Sequence, residues 1–206
     1  MEEEINISHS TLILVLDACR YDTFQKAYNG AFPGDLQKAY SPANWTIPSH
    51  SSIIRGQLPA PAEDDEIFDN EYKYDIYPLP LQHSHSFGVV AMSMLADFPF
   101  LETGVPEYFD DWTDYYEEAS AGTVAMDAAA MLEKAEQHDD FFGLVNFRET
   151  HHPYNLERSI PLHDIVEELE DGETTPEELQ KAQIRGAETV IQEIQGLRDS
   201  IPEGTK

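Results

Sequence analysis

Apolar residues fall into two patterns along this chain, short unbroken runs and longer stretches with helical spacing. Residues 11–16 (TLILVL), 87–92 (FGVVAM) and 141–147 (FFGLVNF) are unbroken runs, the pattern of strands buried on both faces. Residues 20–28 suit a short helix after the first run. Pro48 suits the first turn of a second helix through Ile53 and Ile54 to Arg55, with Gly56 as its stop. Residues 123–137 place Val124, Ala128, Met131, Leu132 and Ala135 on one helical face. The last long helix starts at a capping box, Thr175-Pro176-Glu177-Glu178, and its apolar face runs from Leu179 through Ala187 and Val190 to Leu197. Strands alternating with helices predict an α/β fold, with helices layered on both sides of a largely parallel central sheet. Ligand sites in such folds lie beyond the carboxyl ends of the strands.

The remaining segments read as connections within one domain, residues 1–206. Residues 63–75 and 164–175 are expected to be acidic loops. The aromatic, acidic segment 108–116 (YFDDWTDYY) reads as a half-buried loop, with carbohydrate or cation contact as the alternative. No internal repeat is visible.

Charge narrows the partners. Of 206 residues, 40 are Asp or Glu and 12 are Lys or Arg, a formal net charge of −28. A surface this acidic repels nucleic acid and anionic lipid. Apolar residues at 41% and aromatics at 11% are enough for a core, so the chain does not read as disordered. Carboxylates in this excess suit a salt-rich cytoplasm, where screening falls to about 3 Å at 1 M salt. The single cysteine, Cys19, excludes an internal disulfide and is assigned to packing beside the first strand. The acidic start Met1-Glu2-Glu3-Glu4 is opposite in sign to a signal peptide, and no apolar run reaches the roughly 20 residues of a membrane helix. The expected location is cytoplasmic. The charge is also uneven: residues 5–62 carry three acids and four bases, leaving −29 on the rest. That stretch is either where an anionic ligand approaches or simply more buried.

Three features fall where such a fold places its site. Asp17 follows the first strand, Thr46 lies in Asn44-Trp45-Thr46-Ile47-Pro48-Ser49-His50 at the start of a helix, and His151 follows the third strand in Glu149-Thr150-His151-His152-Pro153-Tyr154. A carboxylate, a hydroxyl at a helix N-terminus and a histidine can together hold a metal, activate an oxygen nucleophile and bind an oxyanion. Each has a plainer reading. Asp17 and Thr46 also suit helix N-caps, His151 a surface turn, and His50 either an anion contact or a solvated position.

The order LVLDACRYD, SPANWTIPSHSSIIRG, ETHHPY resembles the sulfatase-like branch of the alkaline phosphatase superfamily across nearly the whole chain. The resemblance implies that Asp17 is a metal ligand and that Thr46 is both nucleophile and ligand, in a Cys/Ser/Thr-x-Pro-Ser-Arg type signature matched at Pro48 and Ser49. It places His151 in a His-x-Pro-Tyr segment, where substrate or metal contact is expected, and Asn44, Ser49 and His50 beside the nucleophile are expected to contact substrate. It also implies a divalent metal ion (zinc, manganese, calcium or magnesium) and a small-molecule phosphate or sulfate ester as substrate. Threonine cannot become formylglycine, His50 replaces the signature arginine, and residues 91–100 hold no Gly-Lys-Trp-His segment. These departures favour phosphate over sulfate, and a hydrolase or transferase with a threonine nucleophile.

The family continues after the helix that matches Pro176 onward with a strand and an Asp-His-Gly motif. The chain contains no Asp-His-Gly, and His163-Asp164 has the reverse order. The resemblance therefore predicts an alkaline-phosphatase-like fold lacking its C-terminal part, an incomplete metal site and an unpaired sheet edge. The alternative to an enzyme is a catalytically incomplete subunit or remnant that associates with itself or with a partner chain supplying further ligands.

Overall fold

The structure, a computed structural model, describes residues 9–30, 32, 35–56, 78–91, 95, 105–115, 119–152, 154 and 164–205. The three apolar runs form the parallel strands β1 (Thr11–Leu16), β2 (Ser86–Val90) and β4 (Phe142–Phe147). A fourth strand, β3 (Asp111–Asp114), completes a sheet of order β1-β4-β2-β3, in which every pairing is parallel. Five α-helices accompany it among the described residues: α1 (Tyr21–Ala27), α2 (Thr46–Arg55), α3 (Ala121–Ala135), α4 (Ile165–Asp171) and α5 (Pro176–Leu197). The α/β fold with a parallel sheet is therefore as expected.

Alternation along the strands sends side chains to two cores. Leu12, Leu14, Leu16, Phe87, Val89, Val145 and Phe147 face α3 and α5. Ile13, Val15, Phe142 and Leu144 face the opposite way, towards Ile53 and Ile54 of α2 and towards Trp112. Helices thus cover both faces, the arrangement parallel strands require because neither face can be left in water. On the first side α1 packs onto α5 through Ala27, Ala187 and Ile191, with half-buried Cys19 beside them. Burial pushes the Cys19 thiol up to about 11, consistent with a packing role.

Two expected loops are elements. The segment read as a half-buried loop at 108–116 contains β3, fixed by partners distant in sequence. The Trp112 ring fills the space over Gly88, where an added Cβ would sit 2.2 Å from it. Asp110 accepts from the Ser86 amide (2.8 Å), and Lys134 donates to Asp111 (2.6 Å). The acidic loop expected at 164–175 is instead mostly α4. Ile165 and Leu169, one turn apart, are half-buried while Val166 is exposed, Glu167 and Glu168 suit the positive end of the helix, and Gly172 at φ +73° ends it. The other acidic loop, 63–75, lies outside the described residues. No helix among the described residues is long and apolar enough to cross a membrane.

The capping box at Thr175 and Glu178 forms as expected, starting the 22-residue α5. At Gly186 this helix lies against the chain after β4, where an added Cβ would sit 2.1 Å from the Glu149 carbonyl oxygen. Alanine is favoured over glycine in a helix by about 1 kcal/mol. Here overpacking against rigid backbone, roughly 1–3 kcal/mol, outweighs that gain. Gly186→Ala is therefore expected to lower the melting temperature by about 2–6 °C, as read by calorimetry; a higher melting temperature would contradict this packing.

Candidate functional site

The site grows from the adjacent ends of β1 and β4. The Asp17 amide donates to the Phe147 carbonyl (2.9 Å), carrying the ladder one residue beyond the strand. Ala18 then turns the chain with a left-handed φ of +58°, a conformation that disfavours a Cβ. What holds it is a buried polar clamp. The Thr150 hydroxyl donates to the Asp17 carbonyl (2.7 Å). Gln183 of α5 donates to the carbonyls of both Ala18 and Thr150 (3.0 Å each) and accepts from Thr23 (2.7 Å). Asp17 itself caps no helix; Arg20 holds the N-cap position of α1.

Thr46 is the first residue of α2, and the N-cap is Trp45, whose side chain makes no capping bond. The plainer reading of Thr46 as N-cap therefore does not hold. Its side chain is buried at the helix start, where the first turn's N–H groups lack partners within the helix. The loop before it is stitched by hydroxyls. Ser49 Oγ donates to the Trp45 carbonyl (2.8 Å), and Ser41 Oγ donates to the Ala43 carbonyl (2.6 Å). Ser49, expected to bind substrate, thus commits its proton to the backbone and serves to shape the loop.

His50 is 2% exposed, which overturns the solvated reading. Its Nδ1 lies 2.9 Å from the Thr46 carbonyl, which can only accept, so Nδ1 carries the proton. Nε2 is then the acceptor, facing the Asn146 amide nitrogen at 3.2 Å. Both ring nitrogens are engaged, so the expected contact of His50 with an anion is not made by an uncommitted nitrogen. Asn146 was missed in the sequence; its signal was one amide inside an otherwise apolar strand. Its Nδ2 also reaches Asp17 Oδ2 at 3.5 Å.

His151 donates from Nδ1 to the His152 carbonyl (2.8 Å), which leaves Nε2 as its acceptor. Tyr154, three residues on, has a left-handed φ of +57°. Asn44 is exposed at the lip of the cleft. All six residues singled out in the sequence, Asp17, Asn44, Thr46, Ser49, His50 and His151, line one cavity of about 600 Å³ at the carboxyl ends of β1 and β4. No lysine or arginine lines it among the described residues. Arg20 pairs with Asp22 (2.9 Å), and Arg55 donates to the Tyr108 hydroxyl (3.0 Å). The neutral charge balance of residues 5–62 therefore brings no base to the cavity.

The two residues expected as metal ligands, Asp17 and Thr46, offer oxygens, and His151 Nε2 and the Asn44 amide line the same cleft. Catalytic zinc takes at least three protein ligands, and no group of three or more His, Cys, Asp or Glu gathers among the described residues. Magnesium-like cations are commonly held by one or two carboxylates together with water and substrate phosphate. The donor set fits such a cation better than zinc. Beside the cleft, burial raises the carboxyl of Glu149 above its ordinary range, opposed by the backbone N–H groups it faces, including that of Ala121.

The chain matches no protein-family model, and no curated protein matches it.

Burial lowers the titration of His50, His85 and His152 below the ordinary 6.5. For His85 the neighbouring His138, stacked at 4.3 Å, adds to the effect. As pH falls, the unfolded chain therefore takes up protons before the folded one. The stability linked to these neutral rings is complete above pH 6.5 and is lost as pH drops towards the folded values. Melting curves between about pH 7.5 and 5.5 should fall with acid, less steeply in His85→Asn; a flat profile would contradict the burial of these rings.

Proposed function

We propose that this chain acts on phosphate esters, in preference to sulfate esters, through a threonine nucleophile, as a metal-dependent hydrolase or transferase. The observation that carries the reading is the meeting of Asp17 and Thr46 in one cavity at the strand ends, with Thr46 opening a ten-residue helix. Thr46 Oγ attacks phosphorus, the bond to the leaving alcohol breaks, and the threonine proton ends on that alcohol. Water or an acceptor alcohol then attacks the phosphothreonine and restores Thr46. The N–H groups and positive end of α2 favour the non-bridging oxygens. His151 lines the same cavity, and its Nε2 would accept the proton of the attacking water or acceptor alcohol.

An electrostatic argument supports the cation. A carboxylate and a phosphate charge about 4 Å apart repel by roughly 4 kcal/mol at an effective dielectric of 20, and no lysine or arginine offsets this among the residues lining the cavity. A bound divalent cation would supply that compensation and lower the pKa of the Thr46 hydroxyl. Asp17 and Thr46 would hold it. The acidic surface suits work in concentrated salt.

The test is turnover of nitrophenyl phosphate and nitrophenyl sulfate in molar salt with magnesium or manganese. Phosphate turnover is expected to exceed sulfate turnover, to require the cation, and to fall at least about 1,000-fold in Thr46→Ala. A folded wild-type chain without phosphate turnover would contradict the reading.

A second reading, a subunit completed by another chain, is favoured by the edge position of β1. Its six residues are all half-buried, and among the described residues only β4 pairs with it. An apolar edge strand with open hydrogen-bonding groups tends to pair with another. Light scattering should then report a dimer or larger species, and a monodisperse monomer would count against this reading.

A further inference from the structure

We infer that Asn146 is a positioning residue that ties the nucleophile-bearing turn of α2 to the Asp17 carboxylate, a role that rests on the reading of Thr46 and Asp17 above. The amide sits fully buried in the central strand β4, in register with Val15 on one side and Val90 on the other. An amide there is expensive: a buried polar group without partners is destabilising by roughly 1–3 kcal/mol. An apolar residue would suit the neighbours better.

The partners of Asn146 explain its presence. The Thr46 carbonyl accepts from His50 Nδ1 (2.9 Å), which makes Nε2 an acceptor and requires a donor opposite it. Only the nitrogen end of the Asn146 amide meets that need, at 3.2 Å, and this settles which way the amide points. Its second hydrogen is directed at Asp17 Oδ2, 3.5 Å away. The carbonyl end, Oδ1, is left buried and without a hydrogen bond. An amide retained for its own satisfaction would pair both ends; this one pairs only the end that meets His50 and Asp17, both of which line the cavity. The result is a chain of donors and acceptors from the Thr46 carbonyl through His50 and Asn146 to Asp17. It joins α2, β4 and the exit of β1, and holds one oxygen of the cavity-lining Asp17 carboxylate.

Nitrogen-15 NMR on the uniformly labelled full chain tests the bridge directly. The expected result is a pyridine-type shift at His50 Nε2, with a through-hydrogen-bond coupling to Asn146 Nδ2. A proton on His50 Nε2, or no coupling, would overturn it. Asn146→Leu, if folded by circular dichroism, should lower kcat for nitrophenyl phosphate about 10–100-fold with KM changed less than about threefold; an unchanged kcat would overturn the positioning role. Should the leucine variant not fold, Asn146→Ala removes the donor without adding bulk. The His50 Nε2 shift should then move towards that of a pyridine-type nitrogen free of a hydrogen bond, and an unchanged Nε2 shift would overturn the bridge. The two readings fail separately. No wild-type turnover removes the nucleophile reading and the positioning role with it, whereas turnover without the coupling removes the bridge alone.

Discussion

Everything at the candidate site depends on the parallel register of β1 against β4. Leu16 lies opposite Phe147, and the Asp17 amide still bonds the Phe147 carbonyl at 2.9 Å, so the two strands release their chains at the same level. Parallel pairing makes this possible because both carboxyl ends then point the same way. One chain supplies Asp17 and the other supplies the segment leading to His151. The clamp of Thr150 and Gln183 holds the two exits together by their backbone carbonyls, and the missing side chain at Gly186 lets α5 approach closely enough for Gln183 to reach. A slip of one residue in this register would turn Asn146 to the opposite face and remove the link to His50.

The electrostatics of the chain run from global to local. The chain carries a net charge of −28, and the segment around the two motifs is close to neutral. At the cavity that neutrality does not become attraction for an anion, because Arg20 and Arg55 are committed elsewhere. Among the residues that line the cavity are a carboxylate and a hydroxyl at a helix start. In the proposed chemistry these would meet an anion through a cation and backbone N–H groups rather than through basic side chains, and this is why a metal enters it.

Much of this was legible in the sequence because it rests on local signals. Unbroken apolar runs marked three strands, and a capping box with proline marked the start of α5 to the residue. The strand ends also located Asp17 and His151, and the helix start before Pro48 located Thr46. What stayed hidden is held by tertiary partners. β3 is a charged four-residue stretch whose strand form depends on Trp112 over Gly88 and on bonds to Ser86 and Lys134. Gln183 carries no signal of its own in the helical pattern, and it joins α1, the β1 exit and the β4 exit. Asn146 was hidden by the apolar run that contains it, and the part played by His50 follows only once that amide is seen opposite Nε2. The acidic stretch that became α4 was misread because its charge drew more notice than its helical spacing.

The central claim is that Thr46 becomes covalently phosphorylated during turnover. Acid quenching of the chain while it turns over nitrophenyl phosphate with magnesium or manganese, followed by intact-mass and peptide mass spectrometry, examines this most directly. One added phosphoryl group, located on Thr46, is expected. An unmodified chain during active turnover, or a phosphoryl group on any other residue, would contradict it.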